Sequence, residues 1–153
     1  IPLFSSDFIL YTVVDNVNFA ELTSITSLEG LKHRDNLRHV YITGGGWHSK
    51  SLNGVKRFET VTNSTQVLDM LALNRADVYI EQEALVNYQI KQMGLNGRVV
   101  AIPNTMNKTD WHLCIGKQST FMDLLPKLNT LLKKMAVDGT LDQLRSDIFE
   151  KYK

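Results

Sequence analysis

Val40-Tyr41-Ile42-Thr43 runs directly into Gly44-Gly45-Gly46. Every residue ahead of the glycines is β-branched or aromatic, which predicts a strand, and the glycine run ends it. The same kind of unit recurs along the chain. Phe8-Ile9-Leu10-Tyr11-Thr12-Val13-Val14 reads as a strand, as do Arg57 to Thr62 and Val78-Tyr79-Ile80. Arg98-Val99-Val100-Ala101-Ile102, ended by Pro103, and Trp111-His112-Leu113-Cys114-Ile115 complete the set. Helix-period segments lie between most of them. Strands alternating with helices predict an α/β fold with a largely parallel sheet and right-handed crossovers. In such a sheet the loops that follow the strands gather at one edge, where ligands bind. Two of those loops stand out: Gly44-Gly45-Gly46 after Ile42, and Glu81-Gln82-Glu83 after Ile80.

The helices carry their own punctuation. Ser27 to Lys32 predicts a short helix, with Thr26 and Glu29 at capping-box spacing. Asn63-Ser64-Thr65-Gln66 offers a second box and opens a helix whose Val67, Leu68 and Leu71 share a face. From about Glu83 to Met93, apolar residues Val86, Ile90 and Met93 recur at helical steps. Gly94 stands where a C-terminal cap belongs, and Asn96-Gly97 signals a turn. Leu124, Leu128, Leu131 and Met135 predict an amphipathic helix with Pro126 in its first turn, where a missing N–H is harmless. Gly139 closes it. Thr140 with Gln143 is expected to cap the next, along which Leu141, Leu144, Ile148 and Tyr152 repeat.

With 153 residues, 43% hydrophobic and 22% charged, the chain is long enough for one domain with a substantial core and too apolar for general disorder. Lys plus Arg number 17 and Asp plus Glu 16, a net charge of +1 that advertises no nucleic-acid or anionic-membrane surface. No apolar run approaches the length of a membrane helix. Cys114 stands alone, which excludes an internal disulfide framework. The chain begins at Ile1 rather than Met and carries no signal segment, as expected of a processed or excised piece of a longer product.

Chemistry concentrates at Gly44-Gly45-Gly46-Trp47-His48-Ser49-Lys50-Ser51. Glycines between strand and helix let backbone N–H groups converge on a carboxylate or phosphate, although three glycines also simply permit a tight turn. The octet nearly matches the nucleotide P-loop. Ser49, however, occupies a position that motif reserves for glycine, and Asn53-Gly54 cuts the following helix short, so nucleotide binding is not expected. Trp47 could wall a ligand or pack into the domain; His48 is expected to be solvated. His33, His39, His48 and His112 show no metal-ligand spacing, so no metal site or cofactor is expected. Cys114, in an apolar strand, is expected to be a buried inert thiol. No Cys/His or Ser/His arrangement supports nucleophilic catalysis. Glu81 and Gln82 should point to opposite faces. Glu81 with Glu83 could form an acid/base pair, but two acids opening a helix are better read as dipole partners. Asn63-Ser64-Thr65 fits a glycosylation sequon, with helix capping the simpler role, and Lys133-Lys134 lies on the polar side of its helix.

Four segments in this order resemble bacterial extracellular solute-binding proteins of the polar-amino-acid type that serve ABC transporters. Ser27-Leu28-Glu29-Gly30-Leu31 resembles their "SLEDL" helix start, and Val40-Tyr41-Ile42-Thr43-Gly44-Gly45 their "VGVxxG" strand and ligand loop. Leu71-Ala72-Leu73-Asn74-Arg75-Ala76-Asp77-Val78 is similar to "LxxGRxDA", with Asn74 in place of glycine. Met135-Ala136-Val137-Asp138-Gly139-Thr140-Leu141 is similar to the "MxxDGTL" ending. Together they cover nearly the whole chain.

The resemblance implies a periplasmic-binding-protein-like (type II) clamp, truncated and lacking the first half of lobe one. Residues 1–109 would form the second lobe, and residues 110–153 the return strand and helices of lobe one. Strands Phe8–Val14 and Trp111–Ile115 would lie near the two hinge crossings. Gly45, Gly46 and Trp47 occupy the family's ligand-donor positions, the last two replacing small hydroxyl residues. Gln82, or Glu81 if the register slips by one, stands where the family places an aspartate for a ligand ammonium. A neutral Gln82 lacks the charge-assisted bond an ammonium favours. The expected function is binding of a small polar, amino-acid-like solute by hinge closure, outside the cytoplasm and with a membrane permease as partner, without catalysis or cofactor. The alternatives are the sensing domain of a membrane signalling protein and, less favoured, an enzyme on the same fold. With half of its clamp missing, the chain is expected to expose Leu faces on its last helices and to self-associate, for instance as a homodimer exchanging that segment.

Overall fold

A computed structural model describes residues 1–150. In chain order its elements are β1 (Phe4–Val13), α1 (Phe19–Thr23), α2 (Leu28–Lys32), β2 (His39–Ile42), α3 (Gly46–Ser51), β3 (Phe58–Val61) and α4 (Ser64–Ala72). Then come β4 (Tyr79–Gln82), α5 (Glu83–Gln92), β5 (Val99–Trp111), a short 3₁₀ turn (Met122–Leu124), α6 (Leu125–Val137) and α7 (Thr140–Glu150). The chain divides into two units, Asp7–Lys108 and a smaller one made of Ile1–Ser6 with the chain from Thr109 onward. It passes from one to the other inside β1 and again inside β5. Residues 1–6 thus group with the C-terminal segment, whereas the sequence reading puts them with residues 7–109.

In the larger unit β1 pairs antiparallel with β4, with Phe8 opposite Gln82 and Tyr11 opposite Tyr79, and β5 flanks β1 on its other side. β2 and β3 pair in parallel, and a parallel bridge between His39 and Val78 joins this ladder to β4. The expectation of a largely parallel sheet is therefore corrected: β1 runs antiparallel to β4, and the parallel ladder is that of β2 and β3, extended by the bridge to Val78. Alternation of strands and helices specifies layers, not strand sense. β1 is followed by two short helices rather than one crossover helix, and it lies against β4 rather than β2.

Period-two geometry sends successive residues of β1 to opposite faces of the sheet. Phe8 and Leu10 pack with Val78, Ile80, Leu22, Ile25, Leu31 and Leu37. Ile9, Tyr11 and Val13 pack with Tyr79, Val40 and the inner faces of α4 and α5, through Val67, Leu68, Leu71, Val86 and Ile90. Helices on both faces explain why Phe8–Val13 is buried without alternation.

Several boundaries move for identifiable reasons. Ser27, not Thr26, caps α2, its Oγ accepting the Gly30 N–H at 3.1 Å. Asn63 caps α4 through the Gln66 N–H at 3.0 Å, while Gln66 Oε1 reaches back to the N–H of Thr62, one residue beyond the cap. The Thr140 N–H, at the start of α7, donates to Asp138 Oδ1 at 3.0 Å. Gly94 and Gly139 take the positive φ angles expected of them, +65° and +81°. Pro103 does not end its strand. It lies inside β5, which occupies the edge of its three-stranded ladder, where a missing N–H is tolerated. Trp111 is the last residue of β5 rather than the first of a new strand, and Cys114 beyond it is exposed rather than buried.

In the smaller unit, Phe4 stacks on Trp111 at 5.7 Å, and the Leu3 N–H donates to the Trp111 carbonyl at 2.6 Å. Arg145 of α7 donates to the carbonyl of Leu3 at 2.5 Å and to that of Pro2 at 3.1 Å. Leu141 is buried, whereas Leu124, Leu131, Val137, Leu144 and Ile148 are exposed. Tyr152, assigned to the apolar repeat of α7 by its spacing, lies outside the described residues.

Candidate functional site

The two loops singled out by their sequence stand at neighbouring strand ends. α3 begins at Gly46 directly after the β2 turn, and Gly45 is its N-cap. The Gly45 N–H donates to the Ile42 carbonyl at 3.2 Å, so Gly45 closes the turn. Gly44 takes a φ of +83°, a conformation that favours glycine. α3 spans six residues before Leu52, too short for the helix a P-loop requires.

Trp47 is half-buried and stacks on Phe8, with ring centroids 4.2 Å apart. Phe8 is the register partner of Gln82, so the Trp47 ring and the end of β4 meet over the same residue of β1. Gln82 is half-buried at the N-cap of α5. Glu83 is exposed in the first turn of that helix, where a carboxylate complements the helix dipole.

His48 overturns its expected solvation. It is 4% exposed, and its Nε2 lies 2.8 Å from the Ile80 carbonyl, so that nitrogen must carry the donated hydrogen. The ring lies nearly parallel to Tyr41 and Tyr79, with centroids 5.5 and 6.5 Å away, and edge-on to Trp47. A Cβ on Gly45 would come within 2.6 Å of His48 Nδ1, so the absent side chain at Gly45 is what lets the imidazole in. No metal-ligand spacing or catalytic pattern marks His48. The available signal is the glycine three residues ahead of it.

Glu81 is buried beside this histidine. Its Oε1 accepts the Gln82 N–H at 2.9 Å, and its Oε2 lies 3.5 Å from the Tyr79 hydroxyl and 3.8 Å from His48 Nε2. Burial, followed by the nearby Glu81 charge, pushes the Tyr79 hydroxyl far above its usual pKa. The Tyr11 hydroxyl, which donates to Asn87 Oδ1 at 3.1 Å, is raised by its own burial and then by Glu83 and Glu81. Both phenols stay neutral hydrogen-bond donors. Glu81 is thus held within the protein rather than offered beside Glu83 as an acid/base pair. A shallow depression on α6, lined by Pro126, Lys127, Thr130, Leu131 and Lys134, includes none of the expected site residues. Among the described residues, no helix is long and apolar enough to cross a membrane.

No protein-family model matches this sequence, and no curated protein matches it. Solved structures do. A mutant of ArgBP from T. maritima superposes with a TM-score of 0.70 at 17% identity, covering 98% of this chain and 60% of that one. The amino acid ABC transporter substrate-binding protein AbpA from Streptococcus pneumoniae, bound to L-arginine, gives 0.69 at 15% identity, with 99% and 60% covered. The ancestral amino-acid-binding protein AncCDT-1, described as a precursor of cyclohexadienyl dehydratase, gives 0.66 at 21% identity, with 97% and 59% covered. The fold is accordingly α/β and of the type II periplasmic-binding-protein-like class. The chain spans about 60% of the length of the chains it matches. At these identities the likeness is one of fold.

Proposed function

We propose that residues 7–108 form the second lobe of a clamp that binds a small polar, amino-acid-like solute, and that the chain from Thr109 belongs to the first lobe. Gly45 shapes the ligand loop, Gly46 supplies a backbone donor, Trp47 walls the ligand, and Gln82 is its side-chain partner. The observation that carries this reading is the convergence of the β2 and β4 ends, where Trp47 stacks on the residue that pairs with Gln82. The amino-acid-binding proteins of the same fold support the solute class. Closure about the β1 and β5 crossings would follow from ligand contacts that favour a closed state.

By the same reading the protein works in the periplasm or another extracytoplasmic space and delivers its solute to the permease of an ABC transporter. Binding proteins among the structural relatives favour solute capture over catalysis, and no pair of groups at the site is disposed for acid/base work. A nitrogen-15 NMR titration of the chain with L-arginine, L-glutamine, L-glutamate and L-cystine tests the assignment. A saturating solute should shift the Trp47 indole N–H and the Gln82 amide signals. Shifts confined to other surfaces, or none with any solute up to tens of millimolar, would remove it.

A further inference from the structure

α3 has two features that its own sequence does not support. It is six residues long, and no side chain caps its N-terminus. Isolated helices of this length do not persist in water, so the segment must be held from outside. Its single buried residue is His48. That ring leaves α3, crosses to the neighbouring strand and donates to the carbonyl of Ile80, two residues ahead of Gln82. Tyr41 of β2 and Tyr79 of β4 fix the plane of the ring, and Gly45 makes room for its Nδ1 edge. Trp47, the preceding residue, makes a second attachment on Phe8.

We propose that His48 is the positioning residue of the site: a strut that holds the glycine loop against the end of β4 and fixes the gap between Gly46–Trp47 and Gln82. This rests on the ligand reading given above, since the gap matters for affinity only if a solute occupies it. The strut requires a planar side chain with one directed N–H. A phenyl ring would keep the stacking between Tyr41 and Tyr79 and lose the bond to Ile80. A glutamine would keep a donor of similar reach and lose the ring.

The 153-residue chain and its His48→Phe and His48→Gln variants separate these contributions. Backbone relaxation is measured at Gly44, Gly45, Gly46 and Gln82, with the remote turns at Gly94 and Gly97 as controls. L-arginine, L-glutamine and L-glutamate are titrated into each protein. His48→Phe should keep a dispersed spectrum while the loop glycines alone lose order, from about 0.85 to below about 0.6. Affinity for whichever solute binds the parent should fall about tenfold. His48→Gln should restore loop order and return affinity to within about threefold. Unchanged loop order in His48→Phe, or equal loss in both variants, overturns the proposal. Should His48→Phe fail to fold, a disordered loop in folded His48→Gln overturns it and an ordered one supports it. If the parent chain binds none of the three solutes, the ligand reading fails separately, while loop order still decides the strut.

Discussion

Asp77 receives the guanidinium of Arg38 on both of its oxygens, Nε to Oδ2 and NH2 to Oδ1, each at 2.9 Å. The Arg38 backbone N–H adds a bond at 2.8 Å and Asn16 Nδ2 another at 3.0 Å, so a carboxylate only 1% exposed is fully partnered. Removing one member of such a set leaves buried polar groups without partners. Asp77→Asn should cost on the order of 2–4 kcal/mol, or roughly 5–15 °C in Tm for a domain of this size. Calorimetry of the variant against the parent checks this. A loss below about 0.5 kcal/mol would show the network to be dispensable.

The pH dependence of stability follows from two buried groups with opposite histories. Burial would raise the Asp77 pKa, but the bonds from Arg38 and Asn16 and the Arg38 charge prevail and lower it to about 2. Its contribution is present above the unfolded value near 4 and is lost as pH falls toward 2, on the order of 2 kcal/mol in all. His39 is lowered to about 4, chiefly by burial, with the Asp77 charge opposing the shift. Its neutral form is stable in the core, while the unfolded chain takes up a proton below about 6.5. Stability should therefore decline between pH 6.5 and 4 by about 3 kcal/mol at most. Denaturant melts of His39→Leu should flatten that window and leave the lower one intact. A slope unchanged by the substitution would assign the decline to other groups.

The three loop glycines should respond differently to alanine. At Gly45 the new Cβ meets His48 Nδ1 at 2.6 Å and the Ile42 carbonyl at 3.2 Å, which predicts a loss of about 1–3 kcal/mol. Gly46 opens a helix, and a Cβ there would meet no atom within 4 Å, so alanine should be neutral or stabilise by up to about 1 kcal/mol. Gly44→Ala should cost about 1 kcal/mol through its positive φ. Equal effects at Gly45 and Gly46 in thermal melts would contradict the packing of His48 under the turn.

The exposed Leu131, Leu144 and Ile148 form the basis for expecting self-association. Light scattering at high concentration should give a mass above the 17.4 kDa of one chain. Leu131→Glu or Ile148→Lys should return it toward that value. A clean monomer throughout would end the dimer expectation.

Strand positions were legible where a run of β-branched and aromatic residues met a turn signal, as at Val40–Gly46. Direction and extent were not, because strand sense depends on partners remote in sequence. Pro103 reads as a terminator by local propensity, yet an edge position makes its missing donor harmless. The order of elements singles out the glycine loop and the loop Glu81–Glu83, while the part given to Gln82 rests on the family resemblance. His48 was missed because its role depends on Gly45 having no Cβ and on a carbonyl 32 residues away. In the sequence Asp77 is only one residue of a motif. Its burial and its partnership with Arg38 need the sheet to exist first.

The ladder of β2 and β3 meets β4 at the His39–Val78 bridge. Such a narrow seam would be the natural place for the sheet to part. Side chains fasten it at both extremities, Arg38 to Asp77 at one and His48 to Ile80 at the other. Backbone bonds from Val40 to Val78 and from Asp77 and Val78 to Arg38 hold the middle, so loosening one fastening should let that end of the seam open more often while the rest of the sheet stays folded.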